Sequence, residues 1–160
     1  MRGKRMPEKS VFLTQEGFER LDHELHELRT VRRPAVSERI RRAKEFTDTV
    51  DNAEYDDAKQ DQAFIEGRIQ DLERMLATAM IIDEHPTVDF VGLGSHVLVE
   101  EEDGETQEYR IVGSAEADPR HGRISNESPV GRALLGKKVG EEVAVSAPGG
   151  SFRLTVKKIA

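Results

Sequence analysis

The sequence predicts an α+β protein, with an N-terminal antiparallel α-helical coiled-coil hairpin followed by a small antiparallel β domain that carries one short helix. Three observations predict it. Apolar residues recur at three- and four-residue steps through the first half, the period of helices packed along one seam. The period switches to two in the second half, where alternating runs flank Asp103-Gly104 and Pro148-Gly149-Gly150, the pattern of β-hairpins. Finally, 34% of the 160 residues are charged and only 36% hydrophobic, a surface-rich balance that suits a long exposed helix better than one compact globule.

The elements follow in order. The opening MRGKRMPEKS is basic but leads into no apolar run, so it reads as a frayed tail and not a signal peptide. Thr14 suits an N-cap, with Glu16 in the first turn where the helix dipole favours an acid. Phe18, Leu21, Leu25 and Leu28 then mark one apolar face. Pro34 interrupts the pattern, and Val36, Ile40 and Ala43 resume it, so a bend or stutter is expected near Pro34. The second run is cleaner: Tyr55, Ala58, Gln62, Ile65, Ile69, Leu72, Leu76 and Ala79 form a heptad seam broken only by Gln62. Between the runs, residues 47–52 are poor helix formers suited to a turn. Two helices joined so briefly pack antiparallel. With about 30 residues per arm, the hairpin extends about 45 Å.

In the second half, strands are expected at 97–100 and 109–112, and again at 142–147 and 152–159. Between these pairs Ser128 caps a short helix, Pro129 takes its first position and Gly136 ends it. The domains are therefore placed at 1–82 for the hairpin, with its tip near 47–52, at 83–93 for a linker, and at 94–160 for the β domain.

Several function classes drop out. Cysteine is absent, so there is no disulfide framework and no thiolate chemistry, which fits a cytoplasmic protein. No apolar run approaches the roughly 20 residues needed to span a bilayer, so no membrane partner is expected. The five histidines do not cluster as metal ligands, and neither a nucleophile–base pattern nor a phosphate-cradling glycine loop appears. A net charge of −7 argues against a general nucleic-acid coat.

The charge is nevertheless arranged. Arg29, Arg32, Arg33, Arg39, Arg41, Arg42 and Lys44 face a single acid, Glu38, over 29–44. Over 45–61 the balance inverts, with Glu45, Asp48, Asp51, Glu54, Asp56, Asp57 and Asp61 against Lys59. A basic shaft leading to an acidic tip would attract a phosphate backbone or an acidic wall; two solvated helix faces are the plainer account. Asp48 and Asp51, three apart in the turn, can share one hard cation such as Mg²⁺. Two carboxylates make an incomplete site, so its other oxygens would come from water or a partner.

Asn52-Ala53-Glu54-Tyr55 with Ala58-Lys59, then Glu66-Gly67-Arg68-Ile69, resemble the tip and second helix of the GreA/GreB transcript cleavage factors. Tyr109-Arg110-Ile111-Val112-Gly113, Ser128-Pro129, Arg132-Ala133-Leu134-Leu135-Gly136 and Pro148-Gly149-Gly150 resemble that family's C-terminal domain. The resemblance runs from Leu13 to Ile159 in the expected order. It implies a coiled coil entering the secondary channel of RNA polymerase and an FKBP-like domain docking at the rim. It also implies that two tip acids, here Asp48 and Asp51, hold a catalytic Mg²⁺ jointly with polymerase near the nascent RNA 3′ end. The chain would not be an enzyme alone, because polymerase hydrolyses its own backtracked transcript. By position, Lys44 and Lys59 match basic sites flanking the tip, Ser128 and Pro129 match the docking loop, and Asn52, Glu54 and Tyr55 lie in the tip motif as polymerase or RNA contacts. Tyr55 also opens the heptad seam, where packing is the plainer account of it. The protein is expected to be monomeric.

The departures from the family pattern fall at the tip. Where the family has Gly-Asp-Leu ahead of Glu-Asn, this chain has Thr47-Asp48-Thr49 and Asp51-Asn52. A β-branched Thr resists positive φ, and Asp for Glu withdraws the second carboxylate by roughly 1.5 Å. A channel binder that inhibits or competes without stimulating cleavage therefore stays open. So does, in a different class, a peptide-binding or prolyl-isomerase-like module, although the aromatic-poor second half argues against an apolar proline pocket.

Overall fold

The computed structural model describes residues 10–45, 52–83 and 86–160. The chain divides into a helical unit, Phe18–Thr78, and a sheet unit made of residues 10–17 with 79–160.

The helical unit is built from α1 (Gln15–Glu27, whose first turn belongs to the sheet unit), α2 (Arg33–Glu45) and α3 (Ala53–Ala77), with a π-helical turn at Leu28–Arg32 between α1 and α2. Leu21, Leu25, Leu28, Val36, Ile40 and Ala43 are buried on the first arm, and Ala58, Ile65, Ile69 and Leu72 on the second, as the seam predicts. Ion pairs cross between the arms in antiparallel order: Arg29–Glu73, Arg33–Glu66, then Arg39–Asp61. They straddle the segment that joins Glu45 to Asn52.

The stutter expected near Pro34 is the π turn. From Leu28 to Val36 the buried series runs one residue longer than a heptad, and the wide turn absorbs that residue. The Arg33 N–H donates to the Leu28 carbonyl, five back, just before Pro34, which has no N–H to donate. Val31, within the turn, is left 55% exposed.

The sheet unit holds β1 (Val11–Leu13), β2 (Ala79–Ile81), β3 (His96–Glu101), β4 (Thr106–Val112), β5 (Arg123–Ser125), α4 (Pro129–Leu134), β6 (Glu142–Ala147) and β7 (Gly150–Ile159). The main sheet runs β5-β4-β3-β7-β6. Its β3–β4 and β6–β7 pairs are the two predicted hairpins, and β3 also pairs antiparallel with β7. Two features depart from the sequence reading. The strand β5 joins β4 in parallel, so the sheet is mixed. Residues 11–13 and 79–81, assigned to the hairpin domain, instead pair as a parallel ribbon, β1 with β2, and go with the sheet. The boundaries consequently fall at Gly17 and Ala79, not at 82. Val97, Val99, Ile111, Leu134, Val145, Leu154 and Val156 form the core between the sheet and α4.

Candidate functional site

Among the described residues, the Asn52 side chain joins the two helices at the tip end of the hairpin. Asn52 caps α3, its Oδ1 accepting the Tyr55 N–H at 3.1 Å, while its Nδ2 donates to the Ala43 carbonyl of α2 at 2.8 Å. Asn52 thereby satisfies an orphan acceptor at one helix end and an orphan donor at the next helix start. Glu54 and Asp56 occupy the first turn of α3, where the helix dipole favours acids. Lys44 and Glu54 are exposed and Tyr55 is half-buried beside the seam. Exposed Lys59 places its Nζ 3.3 Å from Gln62 Oε1. Asp48 and Asp51, with Thr47 and Thr49, lie outside the described residues. Among those described, no group of three or more His, Asp or Glu side chains could hold a metal ion.

Part of the basic shaft is paired with acids. Arg39 binds both Asp57 at 3.1 Å and Asp61, one turn apart on α3. Arg33 grips Glu66 with two nitrogens, at 2.7 and 2.9 Å. Arg41 pairs with Glu38 and Glu45 on its own helix, and Arg42 with Glu38. The hydrogen bond from Arg41, reinforced by Arg42, draws the Glu38 carboxyl down to about 2. The Arg33 hydrogen bond likewise lowers Glu66. Folding the chain back sets Asp57, Asp61 and Glu66 of α3 opposite Arg39 and Arg33 of α2, whereas Arg41 and Arg42 pair within their own helix. Among the described residues, Arg32 and Lys44 enter no ion pair with their neighbours on either arm, and Lys44 is exposed.

The predicted docking loop is a tightly hydrogen-bonded turn. The Ser128 hydroxyl donates to the Ser125 carbonyl at 2.7 Å and accepts the Gly131 N–H at 3.1 Å, which leaves Pro129 exposed at the first position of α4. A Cβ on Gly131 would stand 2.0 Å from the Ser125 carbonyl oxygen, so only glycine lets the helix start this close to β5. Ser114 ties the same loop through the Ser125 hydroxyl at 2.7 Å and Glu127 at 3.0 Å. Sequence patterning found the cap but not this network.

A further polar cluster escaped sequence reasoning altogether. The buried carboxylate of Glu116 accepts both the Thr14 N–H and the Thr14 hydroxyl, each at 2.6 Å. Thr14 Oγ1 in turn accepts the Gly17 N–H at 3.0 Å, the N-cap foreseen from sequence. Residues 102 positions apart carry no local signal of such a pairing.

Both halves of the chain match known families. Residues 11–81 match the model described as transcription elongation factor, N-terminal, and residues 85–160 the model described as transcription elongation factor, GreA/GreB, C-term. Transcription elongation factor GreA of Bacillus velezensis is 50% identical over 156 residues, covering 96% of this chain and 99% of that protein. The protein of the same name from Caldanaerobacter subterraneus is 52% identical over 153 residues, covering 94% and 98%. Among solved structures, GreA factor homolog 1 of Thermus thermophilus is 35% identical, with 95% of this chain and 99% of that chain covered and a TM-score of 0.45.

Proposed function

The chain belongs to the GreA/GreB family of transcription elongation factors, and we propose that it enters the secondary channel of RNA polymerase and stimulates Mg²⁺-dependent cleavage of backtracked nascent RNA. One observation carries this. The segment joining α2 to α3 bears two carboxylates, Asp48 and Asp51, on a hairpin whose 25-residue second helix alone spans about 37 Å. A rod of that length can carry acids into a channel too narrow for the sheet unit.

Two aspartates offer only hard oxygen donors, which fits Mg²⁺ completed by polymerase carboxylates and water. When bound there, the ion would supply charge neutralisation at the scissile phosphate and a more acidic water. The chain's own residues do the rest. Asp48 and Asp51 anchor the ion, Lys44 and Lys59 draw the RNA backbone toward the tip, and Glu54 and Tyr55 border its path. Pro129, presented by the Ser128 turn, docks on polymerase. The hydrolysis belongs to polymerase, and the factor acts as a cytoplasmic monomer.

A second reading has a specific observation behind it: Thr47, Thr49 and Asp51 depart from the family tip, which favours a factor that occupies the channel without promoting cleavage. Stalled, backtracked elongation complexes with labelled RNA decide between them. Asp48→Ala is expected to lower stimulated cleavage at least about tenfold with polymerase binding nearly unchanged. Asp51→Glu should preserve or improve cleavage by restoring reach. Wild-type protein that binds yet never shortens the transcript at any Mg²⁺ concentration would establish the occluding role instead.

A further inference from the structure

We infer that Asn52 is a positioning residue of the tip, fixing the separation of the α2 end from the α3 start, and not a group that contacts polymerase or RNA. This rests on the proposed role of Asp48 and Asp51 and deepens it.

Both ends of the Asn52 amide are engaged inside the hairpin, the nitrogen with Ala43 and the oxygen with Tyr55. Its backbone carbonyl also accepts the Asp56 N–H at 3.1 Å. The two partners belong to different helices, and both are anchored by burial nearby: Ala43 is itself 4% exposed, and Ala58, one turn beyond Tyr55, is 1% exposed. One turn further along, Arg39 ties the arms again through Asp57 and Asp61. Only six residues, 46–51, join Glu45 to Asn52, so the separation of these two ends bounds where their carboxylates can stand. Metal coordination punishes small errors, because displacing a reacting group by about 1 Å can cost about 10²-fold in rate.

The chemistry singles out asparagine. Aspartate would keep the acceptor for the Tyr55 N–H but lose the donor and set a negative charge against the Ala43 carbonyl. Glutamine would keep both functions but overreach by one methylene.

The test is Asn52→Asp in the full-length protein, with Asn52→Gln beside it. Stimulated cleavage is measured against factor concentration, and exchange of the Asn52 side-chain amide protons and the Tyr55 amide is followed by NMR. In the wild type, the side-chain amide protons should exchange slowly. In N52D, the Tyr55 amide should stay protected while the maximal cleavage rate falls about 10²-fold at an unchanged half-saturating concentration. N52Q should retain an intermediate rate, which keeps the test open should N52D fail to fold. A raised half-saturating concentration with an unchanged maximum would make Asn52 a contact residue and overturn the inference. So would free-amide exchange in the wild type. If the wild type binds without cleaving, the functional reading fails, and the exchange measurement still judges the clasp by itself.

Discussion

Glu38 lies between two guanidiniums of its own helix, at the three- and four-residue spacings that bring side chains together on a helix face. Arg41 does most to lower its carboxyl from 4.5 to about 2, and Arg42 adds to this. A carboxyl with a depressed folded-state value contributes stability that is present above the unfolded value and lost as pH falls through the folded one. Helix content in the hairpin should therefore hold down to about pH 4.5 and lose the Glu38 share between there and about pH 2. Circular dichroism at 222 nm of the wild type against Glu38→Gln checks this, since the variant should lack that part of the acid limb. A side-chain NMR titration of Glu38 with an ordinary carboxylate midpoint would refute it. This pairing could be read from spacing alone, as could the Thr14 and Ser128 caps. The Thr14–Glu116 contact could not, and neither could the need for Gly17, where a Cβ would lie 2.2 Å from Glu116 Oε1. Nothing in the neighbourhood of either residue reveals what comes to it from across the fold.

Periodicity gave away most of each element's course but not what happens where it breaks. Counting from Leu28 to Val36 shows one residue too many, yet a bend, a stutter and a π turn all accommodate it. The outcome depends on where Pro34 leaves a carbonyl without its usual donor. At the far end of the same seam, Ala79 fits the heptad but pairs with Val11 in β2, because the ribbon offers it backbone partners that a helix end lacks. Inside α3, Gly67 stands out as a residue the helix does not need. It is exposed, and a Cβ there meets nothing within 4 Å. Gly67→Ala should thus stabilise the hairpin by about 0.5–1 kcal/mol through the unfolded chain's lost freedom, seen as a higher denaturant midpoint at an unchanged slope. If the substitution stabilises the hairpin yet weakens polymerase binding, the missing side chain serves close approach inside the channel and not the helix.

At the scale of the whole molecule, the linear order of the chain conceals its construction. Parallel strands cannot be joined by a tight turn and need a crossover connection, and in the β1–β2 ribbon that crossover is the entire helical unit, 18–78. The hairpin is therefore an insertion into the sheet unit, and residues 10–17 complete a fold whose remainder begins only at Ala79. Sequence patterning missed this because three-residue strands are too short to show alternation, and their partners are separated by the longest regular stretch in the chain. The consequence can be measured. A fragment from Val88 onward keeps the five-stranded sheet but loses Leu13 and Ile82, both buried. It also strips Glu116 of Thr14. At about 1.5–3 kcal/mol for each large apolar side chain, losing two removes about 3–6 kcal/mol, a sizeable part of the 5–15 kcal/mol that typically holds a domain together. Residues 10–17 joined to 79–160 through a flexible ten-residue Gly/Ser linker, with a reach of about 17 Å, should recover it, since the ribbon to be spanned is only about 10 Å long. Urea unfolding should then rank the grafted chain well above the fragment, and the grafted chain should compete better with the full-length protein for polymerase. Equal midpoints for the two would mean that β1 and β2 add nothing to the sheet unit, and that the boundary near residue 82 was the right one after all.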